Sequence, residues 1–284
     1  MPTTNACAKI NLYLRVDGRL PSGYHGITSV MLPVPELCDT VTVDPSPDGQ
    51  LHMHCSDSSL PTDNRNLCVR AATAFAESAT LDPHWTIRLE KRLPIAAGLG
   101  GGSSDAAAVL GLLNTLHEQP LTSEQLHSLA VRLGADVPFF LNPLPCLATG
   151  IGDRLQPIPA ASPMGVILAN PGFPISARWA YAHWQSASRP AAPSPETILS
   201  TLAEGDLSSI AAALHNDLEH CAFRKFPVLD ILREAMFDAG CLGVHLSGSG
   251  PTLYGLCAPE DLHPIHQRLA DTADASVRTF AVLL

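Results

Sequence analysis

From residue 6 the chain alternates between apolar and polar residues. Ala6, Ala8, Ile10, Leu12, Leu14 and Val16 fall on one side, and Cys7, Lys9, Asn11, Tyr13 and Arg15 on the other. This is the pattern of a strand with one face on a core. It sets Lys9 and Asn11 side by side on the polar face. Asp17-Gly18 predicts a turn, and RLPSGYHG (19–26) a loop. Strands over 27–34, 39–43 and 51–55 are expected to build a largely antiparallel sheet. A helix over 64–79 and an alternating strand over 85–93 follow, and a glycine run then opens a helix over 103–117.

The next helix carries its own start signal. Thr122 and Gln125 fit a capping box, and Leu121 with Leu126 the matching hydrophobic staple. Leu126, Leu129, Ala130 and Leu133 form one apolar stripe, and Gly134 stands where a C-terminal cap belongs. Asp136 falls just past that helix end. Residues 142–163, rich in Pro and Gly, read as the passage to a second half. There GVILAN reads as a strand, PSPETILSTLAEG and 228–238 as helices, and CLGVHLSGSGPTLYGLC as strand, Gly/Ser loop, strand. Strands and helices without a regular βαβ rhythm favour an α+β architecture in two parts, expected as domains over 1–150 and 151–284.

Composition narrows the classes. Of 284 residues, 46% are hydrophobic and 15% charged, as in a globular protein. A net charge of −10 argues against a nucleic-acid partner. No apolar run is long enough for a membrane span, and the N-terminus lacks the basic-then-apolar order of a secretory signal. The eight cysteines are scattered without a CxxC pair, which predicts reduced thiols in a cytoplasm. His52, His54 and Cys55 lack a fourth ligand at a sensible spacing, so LHMHC reads as a half-exposed strand. No residue is assigned as a metal ligand.

Within PIAAGLGGGSSDAAA, Gly98, Gly100, Gly101 and Gly102 stand between a strand and a helix, followed by Ser103 and Ser104, both N-cap types. A helix N-terminus offers unpaired N–H groups and a positive dipole end, and glycines let the backbone close on an anion. Phosphate binding is the reading, against a merely flexible connection. The loop is not a Walker A, because no Lys follows the glycines. It is not G-x-G-x-x-G, whose third glycine would be Ser103. No G-x-S-x-G occurs here or in SGSG.

PIAAGLGGGSSDAA looks like the central phosphate-binding motif of the GHMP kinases, small-molecule kinases of galactose, homoserine, mevalonate and phosphomevalonate. LSGSGPTLYGL (246–256) resembles their C-terminal glycine motif. ACAKINLYLRVDGRLPSGYHGITSV, NRNLCVRAA, LGADVPFFL and GIGDRLQPI are similar, in the right order, to segments of the branch whose acceptor is a cytidine-diphosphate-linked alcohol of the non-mevalonate isoprenoid route. The departures are few: Cys7 where Pro is usual, Gly26 where an acidic residue is common, and Ala96 where glycine is frequent.

The resemblance implies a two-domain GHMP kinase fold. A ribosomal-protein-S5-like α/β domain is followed by a C-terminal α/β domain, with the active site in the cleft between them. It implies ATP as co-substrate with Mg²⁺ as counter-charge, and Asp136 as the base and Lys9 as the catalytic cation. Asn11 would orient the acceptor. Pro94, Ile95, Ala96, Ala97, Gly98, Leu99, Gly100, Gly101, Gly102, Ser103 and Ser104 would hold the phosphates, with Asn66 and Lys91 near the adenosine. Tyr24 and His25 would hold the cytosine by stacking and hydrogen bonding. Tyr181 would close the aromatic sandwich, with Trp179 as the competing choice. The SGYH loop argues against homoserine or mevalonate as acceptor. Oligomeric state is left open.

Overall fold

The computed structural model describes residues 2–160, 162–184 and 192–284. In chain order the elements are β1 (Thr3–Arg19), β2 (His25–Pro45), β3 (His52–Cys55), α1 (Leu67–Ala79), β4 (Trp85–Glu90), α2 (Gly101–Leu116), α3 (Ser123–Leu133) and α4 (Val137–Leu141). Then come β5 (Cys146–Thr149), β6 (Arg154–Pro157), β7 (Gly165–Asn170), α5 (Ala177–His183), α6 (Pro195–Glu204), α7 (Leu207–Ala213) and β8 (His215–Asn216). The chain closes with α8 (Glu219–Lys225), α9 (Val228–Ala239), β9 (Leu242–Leu246), β10 (Leu253–Cys257), α10 (Leu262–Thr272) and β11 (Arg278–Leu283). They form two compact units, one from 1–8, 37–93 and 100–143, the other from 9–36, 94–99 and 144–284.

In the first unit, residues 40–45 of β2 pair antiparallel with β4, and β3 runs parallel to β4. α1 packs on α2, and Val69, Ala72 and Phe75 of α1 are buried along with Val109, Leu110 and Leu113 of α2. Trp85 is fully buried, edge-on to Phe75 and His117, and donates its indole N–H to His117 Nε2 at 3.1 Å. The capping box of α3 forms as expected. Thr122 Oγ1 accepts from Gln125 N, and Gln125 Oε1 from Thr122 N.

In the second unit, β11, β7, β10 and β9 form a four-stranded antiparallel sheet. Ile167 and Ala169 of β7 and Leu253 of β10 share a core with Leu229, Leu232 and Met236 of α9 and Ile265 and Leu269 of α10. Residues 29–31 of β2 pair with β5, and β5 with β6. Tyr13 and Leu14 of β1 pair in parallel with β8.

Several expectations need correction. β1 runs through the expected turn at Asp17-Gly18, and its polar side is not solvent-facing. Lys9 and Asn11 are each only 3% exposed and Tyr13 is fully buried. Periodicity marks which face is apolar, and here side-chain hydrogen bonds allow the other face to be buried too. The strands expected at 27–34 and 39–43 are one strand, β2. The helix expected from Ser103 starts at Gly101, with Gly100 as N-cap at φ 75° and no side-chain cap. A left-handed glycine turns the chain before either serine is reached, so the serines lie inside the first helical turn rather than capping it. The largely antiparallel pairing expected is found, in β2 with β4, β2 with β5 and β5 with β6; β3 with β4 and β1 with β8 are the parallel exceptions.

Candidate active site

In the second unit the side chains of β1 meet the glycine loop. Lys9 Nζ donates to Asn11 Oδ1 at 2.5 Å and to the Gly98 carbonyl at 2.8 Å. The Lys9 backbone N–H reaches the Leu99 carbonyl at 3.0 Å. Asn11 Nδ2 donates to Ser29 Oγ, which donates to the Tyr13 carbonyl. An ammonium can be buried here because oxygens replace its water, and these bonds hold its position.

The loop segment 94–99 is pinned to SGSGPT. Ser247 Oγ donates to the Gly98 carbonyl at 2.9 Å, and Thr252 N to the Ala97 carbonyl at 3.3 Å. Ile175 N donates to the Ala96 carbonyl. A Cβ on Gly98, whose φ is 78°, would lie 1.9 Å from the Ser247 carbonyl oxygen. A Cβ on Gly248, φ 55°, would lie 3.0 Å from Lys9 Nζ. Gly98 is required by close approach as well as by backbone conformation, and Gly248 by its positive φ. Ala96 adopts φ 49°. Asn216 Nδ2 braces the second loop through the Leu246 and Gly248 carbonyls, and Asn170 Nδ2 through Thr252 Oγ1.

Sequence reasoning missed Ser29, Asn170, Asn216, Ser247 and Thr252. The LSGSGPT motif was the available signal for Ser247 and Thr252. Nothing local marks the others, because their partners are distant in the chain.

The residues of the SGYH segment also lie in this unit. Tyr24 is 62% exposed. The His25 ring stacks on Tyr181 at 5.5 Å and 19°, and meets Trp184 edge-on at 5.8 Å. Trp179 faces elsewhere, against His183 at 4.6 Å and Phe226 at 5.7 Å. Two residues apart on a helix differ by roughly 200° in direction, so α5 brings one of them to His25, and it is Tyr181.

In the first unit, Gly101 and Gly102 begin α2, and the Gly100 carbonyl accepts the N–H groups of Ser103 and Ser104. The amides of the first turn ahead of them have no intrahelical acceptor, as at any helix start. Asn66 caps α1: its Oδ1 accepts from Cys68 N and its Nδ2 donates to the Pro61 carbonyl. Lys91 is 6% exposed at its side chain and ion-paired with both Asp39 and Asp105. Asp39 also accepts the backbone N–H groups of Arg92 and Leu93. Asp136 sits half-buried at the start of α4, and its carboxylate has no hydrogen bond or ion pair among the described residues.

The chain thus carries a glycine run leading into the start of α2 and a buried lysine bonded to the Gly98 carbonyl; comparison with known proteins gives the class. The N-terminal domain pattern of the GHMP kinases matches residues 66–142, and the C-terminal pattern residues 198–273. The chain belongs to the GHMP kinases. Two of its relatives carry one particular name. It is 40% identical over 261 residues, 91% of this chain and 90% of the other, to the 4-diphosphocytidyl-2-C-methyl-D-erythritol kinase of Chloroherpeton thalassium. It is also 40% identical, over 88% and 84% of the two chains, to that of Gloeobacter violaceus. A crystal structure of 4-(cytidine 5'-diphospho)-2C-methyl-D-erythritol kinase superposes with a TM-score of 0.82 at 36% identity, over 99% of this chain and 98% of that one. Homoserine kinase from Cytophaga hutchinsonii, at 18% identity and TM-score 0.74 over 98% and 93%, shares the fold.

Proposed function

We infer that this chain is an ATP-dependent small-molecule kinase. It phosphorylates the 2-hydroxyl of 4-diphosphocytidyl-2-C-methyl-D-erythritol in the methylerythritol phosphate route to isoprenoid precursors. The observation that carries this reading is the likeness, over nine-tenths of the chain, to kinases of that name.

In the reaction the acceptor oxygen bonds the γ-phosphorus, the bridging P–O bond breaks, ADP leaves, and the hydroxyl proton needs an acceptor. We assign that proton to Asp136, whose carboxylate carries no other bond among the described residues. Lys9 stabilises the developing negative charge, held in place by Asn11 and the Gly98 carbonyl. Asn11 orients the acceptor. The stretch from Pro94 to Ser104 holds the phosphates through backbone amides and the dipole of α2. Asn66 and Lys91 frame the adenosine; both side chains are tied up within the protein, so their contribution is to fix the backbone around it. Tyr24 and Tyr181 stack on the cytosine, and His25 reads its edge.

Mg²⁺ would enter with the nucleotide rather than on protein side chains alone. Among the described residues no three His, Cys, Asp or Glu side chains gather to hold a metal, and Asp39 and Asp105 are engaged by Lys91. Mg²⁺ bound with the nucleotide would supply counter-charge to its phosphates. The eight cysteines are thiols rather than disulfides, and no helix among the described residues is long and apolar enough to cross a membrane. Free thiols suit the cytoplasm, where we place the protein.

A coupled ADP-release assay tests the reading across the cytidine-linked acceptor, free methylerythritol, homoserine and mevalonate. Turnover confined to the cytidine conjugate is expected. Equal efficiency with any acceptor lacking the base would overturn it.

A further inference from the structure

Beneath the first turn of α2 lies a cluster that the phosphoryl-transfer chemistry does not use. Lys91, at the end of β4, is ion-paired with Asp39 of β2 and, at 2.9 Å, with Asp105 of α2. Both carboxylates are almost wholly inaccessible, at 0% and 3% side-chain exposure. A Cβ on Gly101 would lie 3.4 Å from Lys91 Nζ, so the ammonium sits directly under the first helical residue. Asp39 holds the backbone leading into the loop through Arg92 N and Leu93 N.

The charges do not balance. Two carboxylates face one ammonium, and Asp105 Oδ1 is buried without a hydrogen-bond partner. The remaining ionisable neighbours, Cys68 on α1 and Cys55 on β3, add no positive charge. A buried cluster carrying an uncompensated negative charge is costly, and the least expensive relief is a proton on the carboxyl with the free oxygen.

We propose that the Asp39–Lys91–Asp105 cluster is a proton-linked positioning device for the nucleotide: Asp105 carries an exchangeable proton, and binding of the triphosphate at the start of α2 favours its uptake. The inference rests on the proposed placement of ATP phosphates at Gly100–Ser104. Burial pushes the Asp105 carboxyl up to about 7, with Lys91 opposing and Asp39 reinforcing the rise. Burial lowers the Lys91 ammonium, but the two carboxylates more than offset this and leave it raised, so Lys91 stays charged. The sign follows from charge. An anion arriving one turn away penalises ionised Asp105, so the bound state holds more protons than the free state and affinity falls as pH rises through the free value. Lys91 and Asp105 are thus positioning residues, acting on the nucleotide through the backbone and field of the first helical turn.

Calorimetric titration of the wild-type enzyme with the Mg²⁺ complex of a non-hydrolysable ATP analogue, in two buffers of different ionisation enthalpy, counts the protons. Uptake of about 0.2–0.7 proton per nucleotide near pH 7.5 is expected, with Kd rising roughly 3- to 30-fold between pH 6.5 and 8.5. Asp105→Asn keeps an acceptor for Lys91 but removes the titration, so it should bind with that uptake abolished and the slope flattened. A merely structural Asp105 would leave the proton count unchanged in the variant, and that result overturns the proposal. In the wild type, the infrared carboxylic-acid C=O band should gain intensity when nucleotide binds at pH 7.5. No change there overturns the proposal even if Asp105→Asn fails to fold. Absence of any nucleotide binding by the wild type would instead overturn the functional reading on which the inference stands.

Discussion

Gly98→Ala adds one methyl group where the protein has no room for it. The new carbon would stand 1.9 Å from the Ser247 carbonyl oxygen and 2.9 Å from Gly250 N, both backbone atoms with no rotamer to yield. The alanine must also hold φ near 78°, which costs an L-residue about 1–2 kcal/mol. Relief requires the two loops to part by roughly 1 Å, and a misplacement of that size near a reacting centre costs about 10²-fold in rate. Parting also stretches the two bonds that converge on the Gly98 carbonyl, from Lys9 Nζ at 2.8 Å and Ser247 Oγ at 2.9 Å. One is charge-assisted, worth about 1.5–3 kcal/mol, and the other neutral, worth about 1 kcal/mol. The expected loss is therefore about 3–6 kcal/mol of stability, with kcat/KM of the folded fraction down about 10²-fold. Urea denaturation and steady-state kinetics below the melting transition measure both. Gly111→Ala is the control: it lies on the exposed side of α2 with nothing near its Cβ position, and should gain about 0.5–1 kcal/mol from helix propensity alone. A Gly98→Ala enzyme within about 1 kcal/mol of wild type, with normal turnover, would refute the close approach and the role of the Gly98 carbonyl as the lysine's seat.

Three further outcomes are expected. Asp136→Asn keeps shape but removes the proposed base, so kcat should fall about 10²–10⁴-fold with KM for ATP little changed; near-normal single-turnover rates would reassign the base. Tyr24→Ala should raise KM for the cytidine conjugate roughly 5- to 150-fold, the worth of one aromatic–base stack, without altering KM for ATP; parallel rises in both would mean Tyr24 is structural. Ala96→Gly relieves a left-handed alanine at φ 49° and should leave the protein equally stable or up to about 1 kcal/mol more so; a clear drop in urea midpoint would show that the methyl group is packed.

The sequence alone carries whatever depends on neighbours along the chain. The two-residue period of 6–16 is enough to locate β1, because a strand sends successive side chains to opposite faces. Thr122 and Gln125 lie within one turn of each other, so their capping box could be read before any fold was known. The glycine run ahead of a helix start is likewise local, and with the SGYH and SGSGP blocks it was enough for the family.

Tertiary structure decided what depends on separation. Lys9 looks like a solvated lysine until Gly98, 89 positions away, supplies a carbonyl to its amine. Gly98 needs to be glycine because of Ser247, 149 positions away. Asp39, Lys91 and Asp105 are unremarkable charges on three elements, and only the pairing of β2 with β4 and the packing of α2 make them one buried cluster. Periodicity records which face is apolar; whether a polar face is also buried depends on partners brought in by folding. Those partners seat Lys9 on the Gly98 carbonyl and, separately, gather Asp39, Lys91 and Asp105 into a buried cluster.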